Sequence, residues 1–338
     1  MKAFVLSAYG GPENTGMAEV PQPVPGAGEV LVRVHAAGLN PVDFKTRNGM
    51  LKVVQNYRLP IVMGNELAGV VQAVGPGVTR LAVGERVFAR VDKAAMGAFA
   101  PFALVQEAHA AHMPAGLDFT AAAAVPLAAL TALQALRDEL QVGAGTRIFI
   151  PGGAGGVGTF AIQLAKHLGA TVATTASPRG EALVRRMGAD VVIDYTREPF
   201  ESQLAGYDCA LDLLGGDTLS RLFAVIKPGG KVVSVAGMPE PQTATKDLGR
   251  GPGLAVLFWL ASLPTRMRAA RHQVRYRYLF MHPSADDLAH LAALIDKGRL
   301  QVVVDRVFPL EEARQAMAYV ESGRAKGKVV LTMAHQGL

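Results

Sequence analysis

The chain has 338 residues, of which 50% are hydrophobic, and this is enough to form two packed cores rather than one. Its formal net charge of +6 suits an anionic ligand but is too small to require nucleic acid as a partner. A single cysteine, Cys209, excludes an intrachain disulfide and predicts a reducing compartment. The longest apolar run, from Leu254 to Leu263, is about half of the ~20 residues that cross a bilayer, and the N-terminus has no signal-peptide pattern. We therefore expect a cytoplasmic protein.

The first third of the chain is predicted to be rich in β-strands. Short apolar or alternating runs occur at Glu29–Ala36, Leu67–Val74 and Arg86–Arg90, and turn-forming clusters such as Gly75–Gly77 separate them. The alanine-rich segment Ala121–Leu140 then predicts a long helix.

After this helix, strand and helix signals alternate, which is typical of a parallel α/β sheet. The predicted strands are Arg147–Ile150, Thr171–Thr175, Val191–Ile193, Cys209–Asp212 and Lys231–Ala236. The predicted helices are Val157–Leu168, Arg179–Met187 and Thr218–Val225. The last part of the chain predicts, in order, helix Ala285–Lys297, strand Val302–Phe308, helix Leu310–Ser322 and strand Lys328–Thr332. The fold class is therefore α/β: a doubly wound Rossmann domain at 124–283, inserted in a β-rich domain made of 1–123 and 284–338.

A glycine-rich turn follows the first strand of the alternating part. Gly153, Gly155 and Gly158 form a G-x-G-x-x-G pattern between a predicted strand and an amphipathic helix. Glycines let the backbone approach a pyrophosphate, and the free N–H groups at the start of the helix attract it. The alternative is a turn that only connects the two elements. We predict a dinucleotide site with phosphate contacts from Gly153, Ala154, Gly155, Gly156, Val157 and Gly158.

The end of the next strand favours NADPH over NADH. An NAD site would carry an acidic residue there to bind the ribose 2′-hydroxyl, whereas this chain has Ser177 and Arg179 and no acid from Thr174 to Arg179. A hydroxyl and a guanidinium suit a 2′-phosphate, because Arg makes charge-assisted, bidentate contacts. The alternative is that Ser177 caps a helix and Arg179 is a solvated residue of its first turn.

Three segments resemble the medium-chain dehydrogenase/reductase superfamily. They are Gly64–Gly69, the glycine turn and Gly327–Leu331. Zinc alcohol dehydrogenases of that superfamily have a catalytic Cys where this chain has Asn40, a His where it has Asn65, and a four-cysteine lobe for structural zinc. None of these ligands is present. The chain is instead similar to the zinc-independent branch, the quinone oxidoreductases and enone reductases, as Leu39–Lys45 and Pro309–Ala313 indicate; the departure near the site is Glu66, which is often Asp in the branch.

The resemblance implies a GroES-like catalytic domain, a substrate cleft between the domains, a homodimer and a zinc-independent reaction. In that reaction NADPH gives a hydride to a quinone or to the β-carbon of an α,β-unsaturated carbonyl compound, and water or a polar side chain supplies the proton. By position, Asn40 and Asp43 lie beside the nicotinamide, unless they form only a turn and a helix cap. Tyr57 could donate a proton to the substrate, although a packing tyrosine is the alternative. Further cofactor contacts implied by position are Thr131, Tyr195, Leu214, Phe280, Met281 and Lys328.

A basic segment allows a second hypothesis. Thr265–Arg277 carries five arginines after an apolar run and reads as an insertion with an amphipathic helix. A solvated face beside a subunit contact at strand Val274–Phe280 is favoured over a peripheral membrane contact. The competing function is an NADPH-binding scaffold that acts on a membrane or nucleic acid through residues 266–277. His109 and His112 have a metal-like spacing but no acidic or cysteine partners, so we predict no metal.

Overall fold

The structure is a computed structural model that describes residues 1–334. The chain forms two compact units: unit 1 contains Met1–Leu130 and the segment from Pro283 onwards, and unit 2 contains Thr131–His282. The boundaries expected from the sequence, at 123/124 and 283/284, fall near these positions.

The first part of unit 1 consists of strands with a few short helices. Its strands are β1 (Lys2–Leu6), β2 (Thr15–Glu19), β3 (Glu29–Leu39), β4 (Ile61–Val62), β5 (Glu66–Val74), β6 (Arg86–Arg90), β7 (Phe102–Gln106) and β8 (Ala110–His112). Its helices are α1 (Pro41–Arg47), α2 (Phe119–Ala123) and α3 (Pro126–Gln134), and short 3-10 turns lie at Pro12–Asn14 and Glu107–His109.

Unit 2 is built on a parallel sheet. Its strands are β9 (Arg147–Ile150), β10 (Thr171–Ala176), β11 (Val191–Asp194), β12 (Tyr207–Asp212), β13 (Ile226–Ser234) and β14 (Arg275–Tyr278). Its helices are α4 (Gly156–His167), α5 (Pro178–Arg186), α6 (Gly216–Leu222), α7 (Pro252–Ala261) and α8 (Leu263–Arg271). Shorter helical turns lie at Ala135–Glu139, Phe200–Ser202, Phe223–Val225 and Thr243–Asp247.

The chain then returns to unit 1. This last part contains α9 (Ala285–Asp296), β15 (Val304–Pro309), a 3-10 turn at Leu310–Glu312, α10 (Ala313–Glu321) and β16 (Lys328–Thr332). β16 pairs antiparallel with β3, so the two chain segments of unit 1 share one seven-stranded sheet, in the order β15-β16-β3-β5-β6-β8 with β7 on β3. A second, three-stranded sheet has the order β2-β1-β4. Alternate residues of β3, Val30, Val32 and Val34, are fully buried in the core of unit 1, as the period of two of a strand requires.

The six-stranded sheet of unit 2 has the order β11-β10-β9-β12-β13-β14, and every pairing in it is parallel. This confirms the predicted Rossmann fold. Ile148, Phe149 and Ile150 are all fully buried, because helices cover both faces of such a sheet. Cys209 lies buried in β12 as a free thiol, and burial raises its pKa to about 12.

Two predicted helices differ from those observed. The helix expected at Ala121–Leu140 is broken, because Pro126 has no N–H to donate and disfavours helical geometry in the residue before it. The helix expected at Thr218–Val225 ends at Leu222 and continues as a 3-10 turn. The apolar run before the basic segment forms a helix of its own, α7, and the helix expected within the basic segment is α8. In the part of the chain that the structure describes, no helix is both long enough and apolar enough to cross a membrane.

The predicted solvated face is wrong for Arg277, which is only 2% exposed. Its guanidinium contacts Glu240 at 2.9 Å, the carboxylate of Asp247, and Glu139 at 3.4 Å. Glu139 also pairs with two lysines, Lys231 at 3.2 Å and Lys246 at 2.6 Å. Three cations and three carboxylates therefore neutralise one another here. The spacing of the arginines does not predict this cluster, because the acidic partners of Arg277 are distant from it in sequence.

Candidate active site

The loops expected to hold the cofactor all leave the same edge of the unit 2 sheet. They follow the carboxyl ends of β9, β10, β11, β12 and β14, which are parallel and therefore end on one side. The chain turns in opposite directions from β9, with β10 on one side and β12 on the other. Ligands of open α/β sheets bind in the crevice that forms at such a point.

The glycine turn begins directly after β9 and ends in α4. Gly152 has a φ of +78°, a conformation that glycine adopts without strain. A Cβ on Gly153 would lie 2.1 Å from Oγ1 of Thr174, and one on Gly158 would lie 2.6 Å from the carbonyl oxygen of Gly152. A Cβ on Gly155 would meet only that same oxygen, at 3.5 Å. Gly153 and Gly158 therefore pack the turn against the sheet and helix, whereas Gly155 leaves its outer side open.

Two threonines of β10 support this turn. Thr174 donates its hydroxyl to the carbonyl of Ile150 at 2.6 Å, and the hydroxyl of Thr175 accepts the N–H of Gly152 at 3.0 Å. Both side chains are buried. The sequence pattern did not point to either threonine, although their position next to the glycine turn in a parallel sheet is a usable signal.

Ser177 and Arg179 lie where the sequence places them, at the end of β10. Ser177 is the N-cap residue of α5, but its side chain makes no capping hydrogen bond. Arg179 is exposed and has no hydrogen-bond or ion-pair partner among residues 1–334. The next loop carries Tyr195, which is 58% exposed. This corner therefore offers a hydroxyl and a guanidinium that are not used by the protein itself.

Asp212 organises the loops after β12 and β13. This buried carboxylate accepts the N–H groups of Leu214 at 3.1 Å and Gly215 at 2.9 Å, and the hydroxyl of Ser234 at 2.6 Å. Leu214 is 55% exposed, not a core residue, and its side chain lies against Gly152. Asp212 is therefore a further positioning residue, after Thr174 and Thr175, to which the sequence pattern did not point.

The remaining predicted cofactor contacts of unit 2 differ in exposure. Phe280 is half-buried and follows β14, and its N–H donates to Asp247 at 2.9 Å. Met281 and Thr131 are buried. The glycine turn, the open side of Gly155 and the unused groups at Ser177 and Arg179 fit a dinucleotide with its pyrophosphate at the start of α4 and its 2′-substituent at the end of β10.

Unit 1 contains a buried polar cluster where β3 meets α1. Asn40, the N-cap residue of α1, donates its backbone N–H to Asp43 at 2.7 Å and its side-chain amide to Glu66 at 2.6 Å. Asn65 donates to the other oxygen of Asp43 at 2.6 Å. The second oxygen of Glu66 accepts the N–H of Leu127 at 2.6 Å. The two carboxamides and two carboxylates thus hold one another in fixed orientations.

Lys328 completes this cluster. Its ammonium donates to the carbonyl of Leu39 at 2.9 Å, to Oδ1 of Asn40 and to Glu66 at 2.6 Å. An ammonium has three donors, and all three are used. Lys328, expected as a cofactor contact, therefore has no donor left for a cofactor. Gly38 makes room for the cluster, since a Cβ there would lie 2.3 Å from Glu66.

Burial changes the acidity of two groups near this cluster. Asp43 is fully buried, and the loss of hydration raises its pKa from 3.8 to about 6, although the hydrogen bonds from Asn65 and Asn40 and the charge of Lys328 oppose the rise. Burial also raises the pKa of Tyr57 to about 12. The Tyr57 hydroxyl donates to the carbonyl of Lys93 at 2.5 Å, so its proton is already engaged as in the packing alternative.

The described part of the chain contains no cluster of three His, Cys, Asp or Glu side chains that could hold a metal ion. His109 lies in a 3-10 turn and His112 in β8, where it pairs with Glu85 at 3.0 Å. Asn40 and Asn65, which the resemblance aligns with two zinc ligands of the zinc alcohol dehydrogenases, donate their amides to the carboxylates of Glu66 and Asp43.

Two family models match different parts of the chain. Residues 26–115 match the alcohol dehydrogenase GroES-like domain, and residues 187–331 match a model described as zinc-binding dehydrogenase. The fold and these matches define a medium-chain dehydrogenase/reductase.

Individual relatives narrow the assignment. The chain is 33% identical to the mitochondrial NAD(P)H oxidoreductase RTN4IP1 of Danio rerio, over 98% of this chain and 91% of the relative. It is 37% identical to the chloroplastic NADPH-dependent alkenal/one oxidoreductase of Arabidopsis thaliana, over 98% of this chain and 79% of the relative. The solved quinone oxidoreductase of Coxiella burnetii superposes with a TM-score of 0.86 at 31% identity, covering 99% of both chains. The chain therefore belongs to the zinc-independent quinone oxidoreductase family of medium-chain dehydrogenases/reductases, and it is an NAD(P)H-dependent oxidoreductase.

Proposed function

We propose that this protein transfers a hydride from NADPH to a quinone or to the β-carbon of an α,β-unsaturated carbonyl compound, without zinc. The observation that carries the proposal is the closed cluster in unit 1. Asn40 and Asn65 are neutral carboxamides, which are poor zinc ligands, and Glu66, Lys328 and Asp43 already hold them. Without a Lewis acid, the acceptor must itself be electrophilic, as quinones and enones are.

The chain's own residues would act by positioning. Bound NADPH would supply the hydride, and its pyrophosphate would lie on the glycine turn. Glu66 takes one hydrogen of the Asn40 amide and Lys328 fixes its oxygen, which leaves the second amide hydrogen for an oxygen of the substrate. Asp43 orients the backbone N–H of Asn40 and the amide of Asn65. The proton that completes the two-electron reduction comes from water, because the hydroxyl of Tyr57 is engaged and weakly acidic.

The preference for NADPH rests on the end of β10. Ser177 and Arg179 offer a hydroxyl and an unpaired guanidinium where an NAD site would offer a carboxylate. Tyr195, exposed at the end of β11, would lie near the adenosine phosphate.

Two further features belong to the proposal. We propose a homodimer, which is supported by the position of β14 at an open edge of the unit 2 sheet. Size-exclusion chromatography with light scattering tests it, and a monomer at all concentrations would contradict it. We also keep the cytoplasm as the proposed compartment, which a fluorescent fusion in the source cells tests.

A screen of acceptors tests the reaction. The purified protein, after exhaustive chelation, should oxidise NADPH with quinones, enones or alkenals and should show no activity with simple alcohols and NADP⁺. An apolar pocket distinguishes substrates that differ by one methylene by only about 1–3 kcal/mol of transition-state binding. We therefore expect several acceptors of one electrophilic class to react. Activity with alcohols that depends on added zinc would contradict the proposal.

A further inference from the structure

The segment that follows β14 in unit 2 is anchored at both of its ends. The backbone N–H of Leu279 donates to the carbonyl of Ser234 at 2.9 Å. At the other end, the side-chain amide of Gln134 donates to the carbonyl of His282 at 2.9 Å and accepts its N–H at 3.0 Å. Phe280 lies between these anchors, and the resemblance implies that it lies near the nicotinamide of the cofactor. The structure therefore fixes the main chain around an expected cofactor contact.

The backbone N–H of Phe280 is held by a buried carboxylate. It donates to Oδ2 of Asp247 at 2.9 Å, and Oδ1 of the same side chain contacts the guanidinium of Arg277. The side chains of Asp247 and Arg277 are 6% and 2% exposed. A carboxylate accepts hydrogen bonds at both oxygens, whereas an amide of the same shape accepts at only one. Asp247 can therefore join Arg277 to Phe280, and an asparagine at this position could not.

Arg277 is in turn fixed by partners other than Asp247. Its Nη1 donates to Glu240 at 2.9 Å, to the hydroxyl of Thr243 at 3.2 Å and to the carbonyl of Tyr278. The hydroxyl of Thr243 donates to that same carbonyl at 2.9 Å. Thr243 begins and Asp247 ends one helical turn, so both ends of this turn contact the strand β14 or the segment that follows it. The position of Asp247 is therefore determined on two sides.

We propose that Asp247 is a positioning residue for the nicotinamide end of the cofactor. Its hydrogen bond to the N–H of Phe280 holds the Phe280 side chain at the carboxyl edge of the sheet, where that side chain limits the orientations open to the nicotinamide. This inference rests on the proposed function. The alternative is that the carboxylates around Arg277 serve stability alone. Glu240 and Asp247 distinguish the two accounts, because both contact Arg277 and only Asp247 binds the N–H of Phe280.

Two variants of equal size separate positioning from stability. Asp247→Asn places an amide NH₂ against either Arg277 or the N–H of Phe280, so one of the two contacts is lost. Glu240→Gln is the matched control: it removes the same charge beside the same guanidinium, from a side chain that is 7% exposed. We expect both variants to lower the melting temperature by similar amounts, because each leaves Arg277 with one carboxylate fewer.

Hydrogen exchange in the protein without cofactor measures the contact itself. Mass spectrometry with fragmentation of the exchanged peptides resolves the amide of Phe280. This amide should exchange at least about tenfold faster in Asp247→Asn than in the wild type, which is the effect expected from the loss of a hydrogen bond to a charged group. Glu240→Gln should exchange like the wild type at this amide.

Two ligands report on opposite ends of the cofactor site. The fluorescence of bound NADPH reports on its nicotinamide, and its enhancement on binding should decrease in Asp247→Asn. Adenosine 2′,5′-bisphosphate should bind with unchanged affinity, because Ser177 and Arg179 remain in place. Turnover with a water-soluble quinone should fall by about tenfold to a hundredfold, since a displacement of about 1 Å at the reacting atoms has an effect of this size. Glu240→Gln should match the wild type in all three measurements.

Either of two results would overturn the proposal. The first is an amide of Phe280 that exchanges equally fast in Asp247→Asn and in the wild type. The second is a Glu240→Gln variant that reproduces every effect of Asp247→Asn, because the cluster would then act through stability alone. A wild type that binds NADPH but reduces no acceptor would instead contradict the proposed reaction, and the exchange and fluorescence measurements would still decide the role of Asp247.

Discussion

In unit 1, Asn40, Asp43, Asn65, Glu66 and Lys328 are at most 3% exposed, and hydrogen bonds join them to one another. At the carboxyl edge of the unit 2 sheet, by contrast, Arg179 is exposed and the Ser177 hydroxyl makes no capping bond. In a buried network, removing one partner leaves the other as an uncompensated polar group. An open edge keeps unused donors that a ligand can fill. Substitutions in the unit 1 cluster should therefore mainly lower the free energy of unfolding, and substitutions at the open edge of unit 2 should mainly lower the affinity for the cofactor.

The largest expected effect is on the cluster in unit 1. Lys328→Met should lower the free energy of unfolding by about 3–5 kcal/mol, because it leaves the buried carboxylate of Glu66 without its cation. Urea denaturation measures it, and Lys326→Met, at a position that makes no ion pair in the structure, is the matched control. Adding Glu66→Gln to Lys328→Met should recover part of the loss. A loss no larger than that of the control would show that the cluster is not a coupled unit.

The pH dependence of stability should depend on Asp43. Its pKa is about 6 in the folded protein and 3.8 is its ordinary value, so the folded state binds the proton more tightly. The contribution of Asp43 to stability is therefore largest below about pH 4 and falls as the pH rises to about 6, by on the order of 3 kcal/mol. Urea titrations across this range should show the wild type losing stability relative to Asp43→Asn. A constant difference, or one with the opposite slope, would contradict the burial argument.

At the open edge, Arg179→Gln should reduce affinity and leave stability unchanged. The dissociation constant for NADPH should rise by roughly tenfold to a hundredfold, which corresponds to the roughly 1.5–3 kcal/mol of a charged hydrogen bond. The constant for NADH should stay the same, because NADH has no 2′-phosphate. Arg186→Gln, an exposed arginine of the same helix, is the control. An equal loss of affinity for NADPH and NADH would show that Arg179 does not bind the 2′-phosphate.

The smallest expected effect concerns the glycine turn, where two substitutions separate glycines needed for packing from a glycine that leaves room for the ligand. Gly155→Ala adds a methyl group whose nearest neighbour is 3.5 Å away, so the melting temperature should not change. NADPH binding should nevertheless weaken by about tenfold, or about 1.4 kcal/mol, because the methyl group faces the pyrophosphate. Gly158→Ala should instead destabilise the fold, since its methyl group would lie 2.6 Å from a carbonyl oxygen. Unaltered NADPH binding by Gly155→Ala would contradict the phosphate position.

The sequence predicted the open edge better than the buried cluster. The glycine turn and the residues after β10 are local signals, since strand, turn and helix follow one another along the chain. Glu66, Lys328 and Asn40 are distant in sequence and meet only when β16 pairs with β3, so the sequence pattern did not point to these contacts of Lys328. The same holds for Arg277, whose partners Glu139, Glu240 and Asp247 precede it on other elements.

The central claim is that a hydride passes from NADPH to an electrophilic carbon without a metal. Isotope transfer tests this claim most directly. The protein is first treated with a chelator and is then given an enone acceptor and NADPH that carries deuterium at the transferred position of C4. Mass spectrometry locates the deuterium in the product, and elemental analysis measures the zinc content of the protein. We expect one deuterium at the β-carbon of the product, a turnover rate unchanged by chelation, and no stoichiometric zinc. A product without deuterium, or activity that chelation removes and zinc restores, would contradict the account.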